Sequence, residues 1–153
     1  MSQALWQLSA VEVAAGIRGR RFSCSEVMVS VVERVRKLNP KLNAIVIDLT
    51  DQALAEAAAA DRTSQTLAEQ GPLFGVPITI KVNIDQQGHA TTNGIPAFAN
   101  HIAPTDSPLV RNLHQSRGEE APPLRRTDRS RQGERCERQA AAPRNGACRW
   151  SVA

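Results

Sequence analysis

Lys81 is the residue of this 153-residue chain whose type and setting could most directly do chemistry. It interrupts a β-branched run from Val76 to Val82, which predicts a strand buried on both faces. A lysine near a strand end can reach water along its apolar stem. Alternatively, burial favours the neutral amine, which can accept a proton if a hydroxyl group lies within reach. The neighbouring residues do not decide between these interpretations.

The histidines and cysteines do not form a metal-binding pattern. No two of the three histidines are four residues apart, as a zinc-binding helix would need; they are His89, His101 and His114. The cysteines are odd in number and none are spaced as Cys-x-x-Cys; they are Cys24, Cys136 and Cys148. We therefore expect no metal, no cofactor and no disulfide framework. Cys24 is predicted to be a packed structural thiol near the start of a helix. Reduced thiols are compatible with a cytoplasmic protein.

Polar residues also occur in a loop rich in turn residues, Gln86 to Pro96. A role in forming the turn explains Thr91, Thr92 and Asn93. Ser107 precedes Pro108 and is interpreted as a helix cap rather than a nucleophile.

The elements that must position these residues alternate between helices and strands. Ser9 and Ser23 each have a glutamate three residues later, which predicts two capped helices, and the second should end near Leu38 because Asn39-Pro40 follows. Residues 44–49 are predicted to form a buried strand or an extended segment, and Thr50 is predicted to cap an alanine-rich helix that runs through Ala60. The order predicts an α/β fold.

Charge divides the chain into two parts. Residues 1–116 are neutral, whereas residues 117–153 contain nine arginines and five acidic residues with few large apolar side chains. Such a tail cannot build a core, so we expect it to be a disordered Arg-rich segment. The sequence contains no apolar run long enough to span a membrane, and its start lacks the features of a secretory signal.

The stretch from Gly71 to Gly94 resembles the start of the amidase signature family, through Gly75-Val76-Pro77, Ile80-Lys81, Asn83-Ile84 and Thr91-Thr92-Asn93-Gly94. Ala103 to Val110 resembles the same family's next helix. The resemblance implies helices around a mixed, largely parallel sheet. It further implies that Thr91, Thr92 and Asn93 line a substrate pocket, although a role in forming the turn explains them equally well. It also implies that Lys81 is the terminal base of a Ser-cisSer-Lys triad that hydrolyses a small-molecule carboxamide through an acyl-enzyme, without a metal. Many members carry aspartate where this chain has Val82. A carboxylate there would stabilise the charged lysine, so the valine is compatible with a neutral one.

The resemblance stops at about Arg117. The family's two catalytic serines and its oxyanion segment lie downstream of the lysine, and no matching segment follows here. We therefore interpret residues 1–116 as the N-terminal part of an amidase domain and 117–153 as an out-of-frame, GC-rich reading. The isolated chain is therefore expected to have no amidase activity.

Two alternatives to the frameshift remain. The arginines could bind nucleic acid, but the five interspersed acids and the single stacking residue, Trp150, argue against it. The chain could also be a small non-enzymatic interaction module with a basic tail. Oligomeric state and the substrate amide are not indicated by the sequence.

Overall fold

The structure is a computed structural model that describes residues 3–62, 70–118 and 150–152. Short 3₁₀ turns lie at Leu5–Gln7 and Pro96–Phe98. The longer elements, in chain order, are α1 (Ala10–Arg18), α2 (Cys24–Leu42), β1 (Ile45–Ile47), α3 (Thr50–Arg62), β2 (Thr79–Lys81), α4 (Pro108–Arg117) and β3 (Trp150–Val152).

The first two helices begin at the predicted caps. The Ser9 hydroxyl accepts the backbone N–H of Glu12, and the Glu12 carboxylate accepts that of Ser9; Ser23 and Glu26 repeat this arrangement. Each box satisfies donors that a helix start would otherwise leave unpaired. Both capping boxes predicted from the sequence are confirmed.

Helix α2 does not end near Leu38 as predicted. It continues through Pro40 to Leu42, and Asn43 caps it in the left-handed conformation at φ 48°. The Asn39 side chain donates to the Ile45 carbonyl oxygen at 2.8 Å and accepts the Ile45 N–H at 2.9 Å. These two bonds fasten the last turn of the helix to the following strand, which offsets the cost of a proline there.

The core lies between α1, α2 and α3. Val13, Val27, Met28, Val32 and Ala53 are each at most 4% exposed, and Val76 from the segment before β2 packs into the same cluster. The small side chains on α3 allow it to lie close against α2, whose buried positions are larger. This cluster supports the segment that leads to Lys81.

The sheet has the order β1-β3-β2, with β3 parallel to β1 and antiparallel to β2. A mixed sheet is therefore found, but the described strands are not largely parallel. The strand predicted over Val76 to Val82 is also shorter, because the Val76 N–H bonds the Leu73 carbonyl oxygen in a turn and Pro77 has no N–H. Burial on both faces is wrong for β2: Thr79 is exposed, Ile80 is buried and Lys81 is half-buried.

The tail differs from its prediction at both ends. Arg117 belongs to α4, with Gly118 as its left-handed cap at φ 78°, and Trp150–Val152 form the central strand. The expectation of disorder is wrong for these residues, because strand pairing depends on backbone groups and does not need a tail with its own core. Residues 119–149 lie outside the described residues.

Asp61, in the last turn of α3, caps the start of α2 from a distance. Its two carboxylate oxygens accept the N–H groups of Cys24 at 2.8 Å and Ser25 at 3.0 Å. Burial raises the pKa of this carboxyl, but the hydrogen bonds from Ser25 and Cys24 outweigh that effect and leave the pKa below its ordinary value. The ionised carboxylate therefore stabilises the junction of α2 and α3.

Replacing Asp61 by alanine should lower the free energy of unfolding by about 1 kcal/mol at pH 7. Because the folded-state pKa is depressed, this stabilisation is present above the ordinary carboxyl pKa and is lost as pH falls through the lowered value. Urea unfolding of the unsubstituted chain and of Asp61→Ala, between pH 7 and pH 2, measures this difference in the free energy of unfolding. Asp51→Ala, which removes an exposed carboxylate of the first turn of α3 together with its ion pair to Arg36, is the control; an equal and pH-independent loss for both variants would contradict the role of Asp61.

Candidate functional site around Lys81

Lys81 ends β2 between two buried residues. Ile80 is 6% exposed and Val82 is 8% exposed, whereas Lys81 itself is half-buried. The Lys81 carbonyl oxygen accepts the Ile84 N–H at 2.9 Å, so the chain turns immediately after the lysine. This turn ends the strand immediately after Lys81.

The segment after this turn is fastened to the segment before α4. We call this pairing of residues 85–91 with residues 101–107 the clasp. The Asp85 carbonyl oxygen accepts the Ser107 N–H at 2.9 Å, and the Thr91 N–H bonds the His101 carbonyl oxygen at 3.0 Å. The Asp85 carboxylate also accepts the Thr91 hydroxyl at 2.6 Å. The clasp therefore joins the end of the Lys81 strand to the cap of α4.

A buried carboxylate lies inside the clasp. Asp106 is 6% exposed, accepts the Gln87 N–H at 2.6 Å and lies 3.7 Å from Nε2 of His114 on α4. Burying a carboxylate is costly unless hydrogen bonds compensate it, so these contacts explain why Asp106 can be buried. The sequence patterns did not single out Asp106. Its place directly before a helix cap was the available signal, but its partner Gln87 is distant along the chain.

Thr92 and Asn93 are placed in a tight turn. The Ile95 N–H bonds the Thr92 carbonyl oxygen at 2.7 Å, and the two central residues have positive φ, 49° for Asn93 and 76° for Gly94. Two successive positive φ values define a type I′ turn, which asparagine and glycine favour. The Thr92 hydroxyl accepts the Gly94 N–H at 3.2 Å within the same turn. Turn formation thus accounts for these residues, and a substrate contact stays a prediction.

Cys24 is separate from this site and is 2% exposed. Burial, followed by the neighbouring Asp61 carboxylate, raises the pKa of its thiol to about 12. The thiolate is the reactive form of cysteine, so this group is unsuited to nucleophilic catalysis. The prediction of a packed structural thiol is confirmed.

Alkylation of Cys24 by iodoacetamide at pH 8 should be at least about 100-fold slower in the folded chain than in urea. In the folded chain the reagent cannot reach the buried sulfur, and only a small fraction of the thiol is ionised. Mass spectrometry of the peptide containing Cys24 separates it from Cys136 and Cys148. Comparable rates in both conditions would show that the thiol is accessible in the folded protein.

A cleft of about 770 Å³ lies beside the connection from α1 to α2, next to Cys24, Asp61 and Phe74, and Lys81 does not line it. Within the described residues, no group of three His, Cys, Asp or Glu side chains is arranged to hold a metal ion. None of the described helices is long and apolar enough to cross a membrane.

Comparison of the sequence with known proteins shows which family it resembles. A family model described as Amidase matches residues 26–118, a range that contains β2, the clasp and all of α4. Indoleacetamide hydrolase of Bradyrhizobium diazoefficiens is 47% identical over 112 residues, covering 73% of this chain and 21% of the relative. The chain therefore belongs to the amidase signature family and corresponds to its N-terminal portion.

More distant relatives extend the same match. Fatty-acid amide hydrolase 2-B of Danio rerio is 34% identical over 119 residues, covering 73% of this chain and 23% of the relative. Acylamidase of Rhodococcus erythropolis is 35% identical over 116 residues, covering 76% of this chain and 24% of the relative. The chain thus spans less than a quarter of the length of these relatives.

Proposed function

We propose that this chain is the lysine-bearing N-terminal part of an amide hydrolase of the Ser-cisSer-Lys type, with Lys81 as the terminal base. The observation that carries the proposal is the placement of Lys81, half-buried between Ile80 and Val82 at the end of a strand, inside the region matched by the Amidase family.

The lysine's task in this mechanism is proton transfer. Its neutral amine accepts a proton from one serine, which in turn takes the proton of the nucleophilic serine as the latter attacks the amide carbonyl carbon. The proton then returns to the leaving nitrogen when the C–N bond breaks, leaving an acyl-enzyme that water hydrolyses. The turn after Lys81 and the clasp hold the strand end in place during this transfer.

The 153-residue chain supplies only part of that machinery. Acyl transfer also requires a positioned nucleophile and donors directed at the developing oxyanion, and the residues after Arg117 do not resemble the family segment that carries them. We therefore propose that the chain by itself does not hydrolyse amides. We further propose that residues 117–153 are read out of frame from an amidase gene.

The nucleotide sequence around the codons for Ser116 and Arg117 tests the frameshift directly. We expect that a one- or two-base correction opens a frame encoding an apolar strand and then a glycine- and serine-rich segment. If neither alternative frame encodes these features, the out-of-frame proposal is wrong.

The activity test compares the purified chain with the frame-restored enzyme, meaning the product of the corrected gene. Indoleacetamide is the first substrate to try because the indoleacetamide hydrolase of Bradyrhizobium diazoefficiens is 47% identical over the matched region. We expect ammonia release from the frame-restored enzyme and none from the chain. Turnover by the chain alone would contradict the proposed inactivity, and a frame-restored enzyme inactive on all small amides would contradict the proposed function.

A further inference from the structure

Asp106 contacts both the segment that follows β2 and the helix α4. One carboxylate oxygen, Oδ1, accepts the Gln87 N–H at 2.6 Å, and the other, Oδ2, lies 3.7 Å from Nε2 of His114. The Asp106 carbonyl oxygen also accepts a hydrogen bond from Nη1 of Arg111 at 3.4 Å. Because the side chain of Asp106 is only 5% exposed, water does not readily replace a partner that is lost. Asp106 therefore joins the two elements by directional contacts.

The backbone between Lys81 and Gln87 is hydrogen-bonded at two further points. The Ile84 N–H donates to the Lys81 carbonyl oxygen at 2.9 Å, and the Asp85 carbonyl oxygen accepts the Ser107 N–H at 2.9 Å. Ser107 directly follows the buried carboxylate in the chain. Two adjacent residues of the clasp thus hold the backbone four and six residues after the lysine.

The chain before Lys81 is held in a different way, by apolar packing. Val76 belongs to the core between the first three helices, and Ile80 is buried. The lysine therefore lies between a segment supported by the core and a segment supported by the clasp. Loss of the Gln87 hydrogen bond would loosen only the second of these supports.

We propose that Asp106 is a positioning residue for Lys81, because its hold on Gln87 stabilises the turn from which the lysine side chain must reach a serine hydroxyl. The inference rests on the proposed function, since the position of the amine matters for rate only if Lys81 is the base. Catalytic groups must be held close to their productive geometry by the residues around them. A misplacement of about 1 Å can lower a rate by about 10²-fold.

Hydrogen exchange on the 153-residue chain tests the structural step. Asp106→Ala removes the acceptor of the Gln87 N–H, and the Ile84 amide should then exchange about tenfold faster than in the unsubstituted chain. Asp61→Ala is the matched control, because Asp61 is also a carboxylate that accepts backbone N–H groups, but at the start of α2. It should leave the exchange of Ile84 unchanged.

Exchange in the α2 core, at Val27 and Val32, reports whether each variant is folded. If alanine unfolds the chain, Asp106→Glu makes the same test, because it keeps the charge but displaces the carboxylate by one methylene group. The same acceleration at Ile84 is expected. An unchanged Ile84 rate in either folded variant would overturn the proposal.

Kinetics of the frame-restored enzyme with indoleacetamide test the catalytic step. Asp106→Ala should lower kcat by about 10- to 100-fold with KM within about twofold of the parent, because proton transfer occurs in the transition state. Asp106→Asn keeps an oxygen that accepts the Gln87 N–H and should restore kcat to within about threefold of the parent. Asp61→Ala should leave kcat within about twofold.

These measurements separate the positioning role from the proposed function. A frame-restored enzyme that is inactive before any substitution contradicts amide hydrolysis, and exchange at Ile84 still decides whether Asp106 holds the turn after Lys81. An enzyme that loses activity in Lys81→Ala but keeps kcat in Asp106→Ala retains the proposed function and overturns the positioning role. Equal losses of kcat in Asp61→Ala and Asp106→Ala, or no recovery with asparagine, also overturn it.

Discussion

Replacing Lys81 by alanine in the frame-restored enzyme should lower kcat/KM for indoleacetamide by about 10³-fold or more, since positioned acid-base groups contribute roughly 10²–10⁴-fold to rate. Alanine removes the proton acceptor but leaves the strand, because Lys81 contributes its backbone, not its side chain, to the turn closed by Ile84. The loss should fall mainly on kcat, since the proton transfer occurs in the transition state. Steady-state ammonia release measures it.

Two further variants separate base chemistry from charge. Lys81→Arg keeps a cation and a long apolar stem, but guanidinium does not release its proton, so it should be as inactive as alanine. Lys37→Ala makes the same deletion at an exposed position of α2 and should leave kcat/KM within about twofold of the parent. Activity retained in Lys81→Arg would show that Lys81 acts by its charge and not as a base.

Gly75→Ala should lower the free energy of unfolding of the chain by about 3 kcal/mol. Gly75 has φ 71° and lies at the third position of the turn closed by Leu73 and Val76, where a side chain is disfavoured. An added Cβ would also lie 2.5 Å from Sγ of Cys24 and 2.7 Å from Cδ1 of Ile17, both in the core. Urea denaturation followed by circular dichroism measures the change.

Gly94→Ala is the control that separates the two causes. Gly94 has a similar φ of 76°, but a Cβ there would meet nothing within 4 Å. It should therefore cost only the conformational penalty, about 1 kcal/mol. If Gly75→Ala is no more destabilising than Gly94→Ala, the core around Cys24 and Ile17 accommodates a methyl group and is less closely packed than the structure indicates.

The helix starts could be predicted because their causes are local. Ser9 and Ser23 find their glutamate partners three residues away, and Ser107 with Pro108 sets the start of α4. The helix end was predicted less well. The hydrogen bonds between Asn39 and Ile45 allow α2 to continue beyond Pro40. A prediction based on the proline alone does not take these bonds into account.

The strands and the support of the site depend on contacts between distant residues. The length of β2 is set by the turn at Gly75 and by pairing with β3, neither of which a β-branched run reveals. Asp106 and Asp61 bond to Gln87 and Cys24, which are remote in sequence. Lys81 was singled out by the motif around it. Its half-burial and the clasp beside it could not be predicted, because they depend on how distant segments pack.

The clasp has a consequence for how amidases can diversify. Its Ala90 to Ile102 bridge and the Thr91 to His101 hydrogen bond bring the two ends of residues 92–100 together. A loop whose ends are joined can change its length or composition without displacing the chain outside it. The exposed Ile95 and Phe98 at its tip could therefore be exchanged for those of another amidase as one graft, leaving the neighbouring lysine strand where it is.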